Sequence, residues 1–267
     1  MTNKIIKKEE LCYNVTEYFE KGSMIMTVLG IDTSNQSMLL CLAENNQLTA
    51  SYVTTNQKNH STTLMPGIDF LMSSNGKKPK DLSKIIVAQG PGSYTGLRIG
   101  VTTAKTLAWT LKIDLYSVST LALIAAGQDK WDGLIVPLIN ARRENVYSAA
   151  YKWVDEELIT VIPEKHISFK EWAEELKVTT ERVLFVGLDV PVFHELINSY
   201  ECDAFYYHKN ETDNVPHGEA FLRLGNQAKL VDDIEGFNPN YLKKVEAEEK
   251  WLETHQALED SHYVKRV

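Results

Sequence analysis

The sequence predicts an α/β fold of two tandem domains, each a mixed sheet covered by helices. Three observations lead there. Strand-like and helix-like segments alternate from residue 26 to residue 233. The order β-β-β-α-β-α-β-α is met twice, without any amino-acid repeat beneath it. A length of 267 residues is long for one compact domain and comfortable for two.

The first half opens with "TVLGIDTS" (27–34), an apolar run that reads as a buried strand. Polar turns lead to "SMLLCLAEN" (37–45) and "QLTASYVTT" (47–55), giving an antiparallel meander. In "NHSTTLMPGIDFLMSSNG" (59–76), Leu64, Ile68 and Leu71 recur at helical spacing. Pro66 falls near the start of that helix, where a missing donor costs least. "SKIIVAQG" (83–90) is a strand, "TGLRIGVTTAKTLAWTL" (95–111) a helix, "DLYSVS" (114–119) a strand and "TLALIAAGQ" (120–128) a helix.

The second half begins with a hairpin, "GLIVPLINA" and "ENVYSAAYKW" joined through Arg142 and Arg143. "ELITVIPEKHIS" follows as a third strand. Then come a helix "SFKEWAEELK", a strand "RVLFVGLDV", a helix "PVFHELINSY" and a strand "CDAFYYHK". "GEAFLRLGNQAKLVDD" (218–233) reads as a final helix. This order is the plan of the two-domain actin-like, ribonuclease-H-like (ASKHA) ATPase fold, with a smaller, simplified second domain. The expected division is 26–130 and 131–245, preceded by an extension (1–25) outside the fold. Residues 246–267 follow as a charged tail.

Composition narrows the function. The net charge is −8, so the chain has no electrostatic means of holding a polyanion by itself. Three scattered cysteines form no CxxC pair, which argues against a disulfide framework or zinc cluster and for a reducing compartment. The apolar runs are too short to span a bilayer, and the N-terminus lacks a secretory core. A soluble, cytoplasmic protein is expected.

Four stretches carry possible chemistry. "GPGSYTGLR" fits neither the GxxxxGK[ST] nor the GxGxxG spacing. Its Gly90, Gly92, Ser93 and Gly96 could present helix-terminal N–H groups to a phosphate; equally, they could let two backbones pack closely. Asp32, Thr33 and Ser34 in "GIDTS" could form a phosphate hairpin or an ordinary strand-end turn. Arg142 and Arg143 could meet a carboxylate or phosphate, or be solvated. The helix 95–111 is apolar on more than one side, with a seam of Leu97, Val101, Ala104, Ala108 and Leu111 beside Gly100, Thr103 and Leu107. Such a helix is deeply buried or faces a partner; with Met65 and Met72 on the preceding helix, the pair could pack against an equivalent pair on another subunit or form an all-internal core. The seven histidines form no HxxxH or HExxH pair. His60 reads as a cap or interface residue, and no metal site or catalytic set is expected.

Together the segments "LGIDTS", "NHS…LMPGID", "VAQGPGSYTGLRIGVTTAKTLA", "VSTLALIA", "NARRENVY" and "NPNYLKKVEAEEKW" resemble the TsaB (YeaZ) family of bacterial tRNA threonylcarbamoyladenosine biosynthesis proteins, over residues 26–251. The resemblance implies a non-catalytic subunit that supports the related catalytic protein TsaD, together with TsaE. That complex places a threonylcarbamoyl group on adenosine-37 of tRNAs reading codons that begin with A. It implies contact with TsaD through the first-domain helices, here His60, Leu64, Met65, Ile68, Met72, Leu97, Gly100, Val101, Thr103, Ala104 and Leu107. It also implies a homodimer when the chain is alone, tRNA met only through the complex, and no cofactor of its own; ATP or ADP at the heterodimer interface stays open. The alternatives are an autonomous ATPase or kinase-like enzyme using Asp32 and the Gly90–Gly96 loop, and an inactive glycoprotease-like homologue.

Overall fold

The computed structural model describes residues 25–55 and 60–243. Nearly all of the 1–25 extension and the whole 246–267 tail lie outside them.

The expected meander is present: β1 (Thr27–Asp32), β2 (Met38–Glu44) and β3 (Gln47–Thr54) pair antiparallel in sequence. Asn45 and Asn46, both left-handed, turn β2 into β3. Next come α1 (His60–Ser74), β4 (Leu82–Ala88), α2 (Tyr94–Leu111), β5 (Asp114–Val118) and α3 (Thr120–Ala126). β4 lies parallel to β1 and β5 parallel to β4.

The second half repeats the plan with β6 (Leu134–Asn140), β7 (Asn145–Val154), β8 (Glu157–Ser168), α4 (Phe169–Lys177), β9 (Val183–Val186), α5 (His194–Ser199), β10 (Phe205–Tyr207) and α6 (Glu219–Arg223). The sheets run β3-β2-β1-β4-β5 and β8-β7-β6-β9-β10, one order used twice. This is the two-domain actin-like architecture that the sequence predicts.

Three apolar clusters stack the molecule in five layers. α1 and α2 cover the outer face of the first sheet through Leu64, Ile68, Leu71, Val101, Ala104 and Ala108. α4 and α5 cover the outer face of the second through Phe169, Trp172, Leu176 and Ile197. α3 and α6 are clamped between the two inner faces, where Leu121, Ala125 and Phe221 meet Val28, Leu39, Ile135 and Tyr151.

Three expectations are corrected. The strand 182–190 ends at Val186, because Gly187 takes φ +111° and a short 3-10 turn, Val190–Phe193, follows. The helix at 191–200 is accordingly only the six residues of α5. The final helix stops at Arg223, and Lys229–Leu230 form β11 against β5 of the first sheet. The open edge of β5 offers unpaired donors and acceptors that a helix could not use. Val231, Ile234 and Phe237 then pack on the first-sheet core. Residues 229–237 therefore belong with the first sheet, although the sequence places them in the second domain.

Candidate functional site

The glycine loop lies directly against the end of β1. The Ser93 amide donates to the Ser34 carbonyl at 2.7 Å, and Thr33 Oγ1 donates to the Gly96 carbonyl at 2.7 Å. A Cβ on Gly92 would collide with the Ser34 carbonyl oxygen, one on Gly96 with the Thr33 carbonyl oxygen, and one on Gly100 with the Thr33 hydroxyl. Gly90, at φ +117°, likewise has the Asn240 carbonyl against it. Each glycine is thus explained by close backbone approach. The groups that fill these spaces are mostly carbonyl oxygens, which repel an anion.

The start of α2 is also largely engaged. Ser93 caps it by accepting from Gly96 N–H at 3.3 Å, and Leu97 N–H donates to the Ser93 carbonyl. Asp32 is buried, and its Oδ1 accepts from both the amide and the hydroxyl of Ser34. Burial raises its pKa, against the Ser34 hydrogen bonds and the His60 charge, which lower it. Asp32 thus commits its Oδ1 acceptor to a local turn.

Above this floor lies a cleft of about 1030 Å³ between the two halves. Asn35, Gln36, His60 and the Gly92–Gly96 turn line one wall; Ile139–Arg143, Asn145 and Tyr147 line the other. His60 Nε2 lies 3.1 Å from the Asn35 carbonyl, which makes it a cleft-rim residue. Arg142, Arg143 and Glu144 are consecutive left-handed residues, and both arginines are exposed. The halves are joined by a clasp that sequence reasoning missed. Asp189 accepts from Gln36 Nε2 at 2.6 Å and from the Asn140 amide at 2.8 Å. Burial raises the Asp189 pKa, and these two bonds oppose the rise. The available signal was the position of Asp189, just after strand β9 as Asp32 ends β1. Among the described residues, no three His, Cys, Asp or Glu side chains gather as a metal-ligand set.

The expected partner residues divide by burial. Leu64, Ile68, Met72, Leu97, Gly100, Val101 and Ala104 are buried against the sheet and present nothing outward, because the apolar seam of an amphipathic helix faces its own core. Met65 is exposed, and Thr103 and Leu107 are half-buried. The sequence reading missed Phe70 and Trp109, which are 60% and 61% exposed. Helices of 15 and 18 residues carry between them only Asp69, Arg98 and Lys105 as charged side chains, where the chain as a whole is 24% charged. The exposed layer is thus poor in charge, with Met65, Phe70, Tyr94 and Trp109 set among serines and threonines.

Comparison with known proteins agrees with this architecture. The family described as "TsaD: tRNA N6-adenosine threonylcarbamoyltransferase" matches residues 47–251. The Bacillus subtilis tRNA threonylcarbamoyladenosine biosynthesis protein TsaB is 40% identical over 230 residues, 86% of this chain and 99% of that protein. The Escherichia coli TsaB is 28% identical over 145 residues, 51% of this chain and 62% of that protein. A Pseudomonas aeruginosa crystal structure, of a protein with similarity to peptidase YeaZ, superposes with a TM-score of 0.69 at 21% identity. It covers 82% of this chain and 100% of that one, so the fold is shared. The Bacillus subtilis relative, 40% identical and covered over 99% of its length, establishes that the chain belongs to the TsaB (YeaZ) family of tRNA threonylcarbamoyladenosine biosynthesis proteins.

Proposed function

We propose that this chain acts in tRNA threonylcarbamoyladenosine biosynthesis as a non-catalytic subunit. It binds the related threonylcarbamoyltransferase TsaD through the outer surface of α1 and α2, and works with TsaE. The observation that carries this reading is the nearly uncharged outer layer, with Met65, Phe70 and Trp109 exposed upon it. The cleft floor supports the non-catalytic part, since Asp32 and the loop glycines are occupied in holding β1 against α2. With a net charge of −8, the chain meets tRNA only through its partners. Alone, it pairs with a second copy through the same face. A nucleotide, ATP or ADP, enters at the heterodimer interface rather than as a cofactor of the isolated chain. No helix among the described residues is long and apolar enough to cross a membrane, and the proposed site of action is the cytoplasm.

The test is association. Met65→Glu and Trp109→Glu alter exposed side chains and should leave the fold intact. Each should weaken binding to TsaD at least about tenfold by calorimetry, the effect of truncating an interface anchor. Unchanged binding by both variants would overturn the interface. Hydrolysis of Mg-ATP by the pure chain, abolished in Asp32→Ala, would overturn the non-catalytic reading.

A further inference from the structure

A second, much smaller cavity lies at the joint between the halves, and Asn35 lines both it and the cleft. Its walls come from distant parts of the chain. Asp32 and Asn35 wall it at the end of β1, Gly127 at the end of α3, Gly187 after β9, and Asn214 at the end of a short 3-10 turn, Glu211–Asn214. The volume is about 10 Å³, close to the least that admits one water molecule.

Two polar groups meet there with capacity to spare. Asn214 is 3% exposed. Its Oδ1 accepts from the Gly187 amide at 3.0 Å, which fixes the orientation of the side-chain amide. The opposite end, Nδ2, is buried without a hydrogen-bond partner among the described residues. An orphaned donor of this kind is rare in a native interior, because nothing offsets its desolvation. Asp32 is also buried, and the hydrogen bonds it accepts, from the Ser34 amide and hydroxyl, both fall on Oδ1. A carboxylate has about four acceptor positions, so about half of that capacity remains.

The chemistry of the walls selects the occupant. A water molecule satisfies both groups, accepting from Nδ2 and donating to the carboxylate. A metal cation would meet the Asn214 N–H with the wrong sign, and an anion would meet Asp32. An apolar group would leave both unpaired.

We propose that this cavity is the site of one structural water, which accepts from Asn214 Nδ2 and donates to Asp32. The water ties the end of β1 in the first half to the 3-10 turn of the second. The joint then has two polar pins: the direct clasp of Asp189 to Gln36 and Asn140, and this solvent bridge. The bridge also gives Asp32 a donor besides Ser34, which eases the burial of its charge.

A high-resolution crystal structure of the full chain, from a crystal soaked in rubidium chloride, tests this. Density for a single water should lie within about 3.2 Å of both Asn214 Nδ2 and an Asp32 carboxylate oxygen, without rubidium's anomalous signal. A rubidium peak there would make it a cation site and overturn the proposal. So would a cavity without density, or an Asn214 side chain bonded directly to Asp32. In solution, the Asn214 side-chain amide protons should show NOE and ROE cross-peaks to water of opposite sign, the mark of a molecule held in place. The peaks should persist in Ser34→Ala, which removes the exchangeable hydroxyl bonded to Asp32 as their source. Peaks of the same sign, no peaks, or their loss in Ser34→Ala would overturn the proposal.

Discussion

Gly96 shows how a single residue separates two readings of one loop. A methyl group there would meet the Thr33 carbonyl oxygen, which sits one residue past the end of β1, a strand paired on both sides. Gly96→Ala should therefore cost about 1–3 kcal/mol, the usual range for overpacking, read as a lowered urea midpoint with an unchanged slope. The glycine pattern was legible in the sequence as either a phosphate cradle or a close approach. Only the identity of the facing atoms decides between them, and these come from a segment some sixty residues away. Asp189 was illegible for the same reason, since its partners Gln36 and Asn140 are assembled by the fold.

Glu164 makes a prediction about pH. It bridges β8 to the N-cap of α3 by accepting from the Ser119 hydroxyl, and burial raises its pKa although that bond lowers it. The folded chain thus holds this proton to higher pH than the unfolded chain does. Stability from this group is complete below the ordinary glutamate range and is lost as pH rises through the elevated value. Glu164→Gln has no such loss. Urea titrations across pH 4–7 should show the variant gaining on the wild type as pH rises; a constant difference would contradict the assignment.

At the scale of elements, the meander and its flanking helices were legible because their periodicities are long and clean. α1 and α2 were placed correctly, but their apolar seams were read as a docking face. Periodicity finds the apolar side of a helix without saying what covers it, and here the first sheet does. Ala104→Glu would bury an unpaired charge at a fully buried site and should unfold the chain. By contrast, Met65→Glu should keep its melting curve and lose the partner. The step from α6 to β11 was not legible, because Leu224 and Val231, seven residues apart, continue a helical spacing. What ends the helix is Gly225 together with a free strand edge supplied by β5.

The whole molecule is a duplicated α/β unit whose halves are clasped across a shared cleft by Asp189. Its duplication was visible in the order of elements, and its family in short motifs spread along the chain. The return of residues 229–243 to the first half was not, because it rests on contacts such as Lys105 to Phe237 that span more than a hundred residues. If the molecule works through its outer helical layer, cleft chemistry and partner binding can be separated by substitution. The direct measurement is threonylcarbamoylation of tRNA adenosine in a reconstituted system containing TsaD and TsaE, with Asp32→Asn compared against Met65→Glu. The account predicts a rate within about twofold of wild type for Asp32→Asn, which keeps an acceptor for Ser34, and a loss of at least about tenfold for Met65→Glu. An inactive Asp32→Asn beside a fully active Met65→Glu would contradict it.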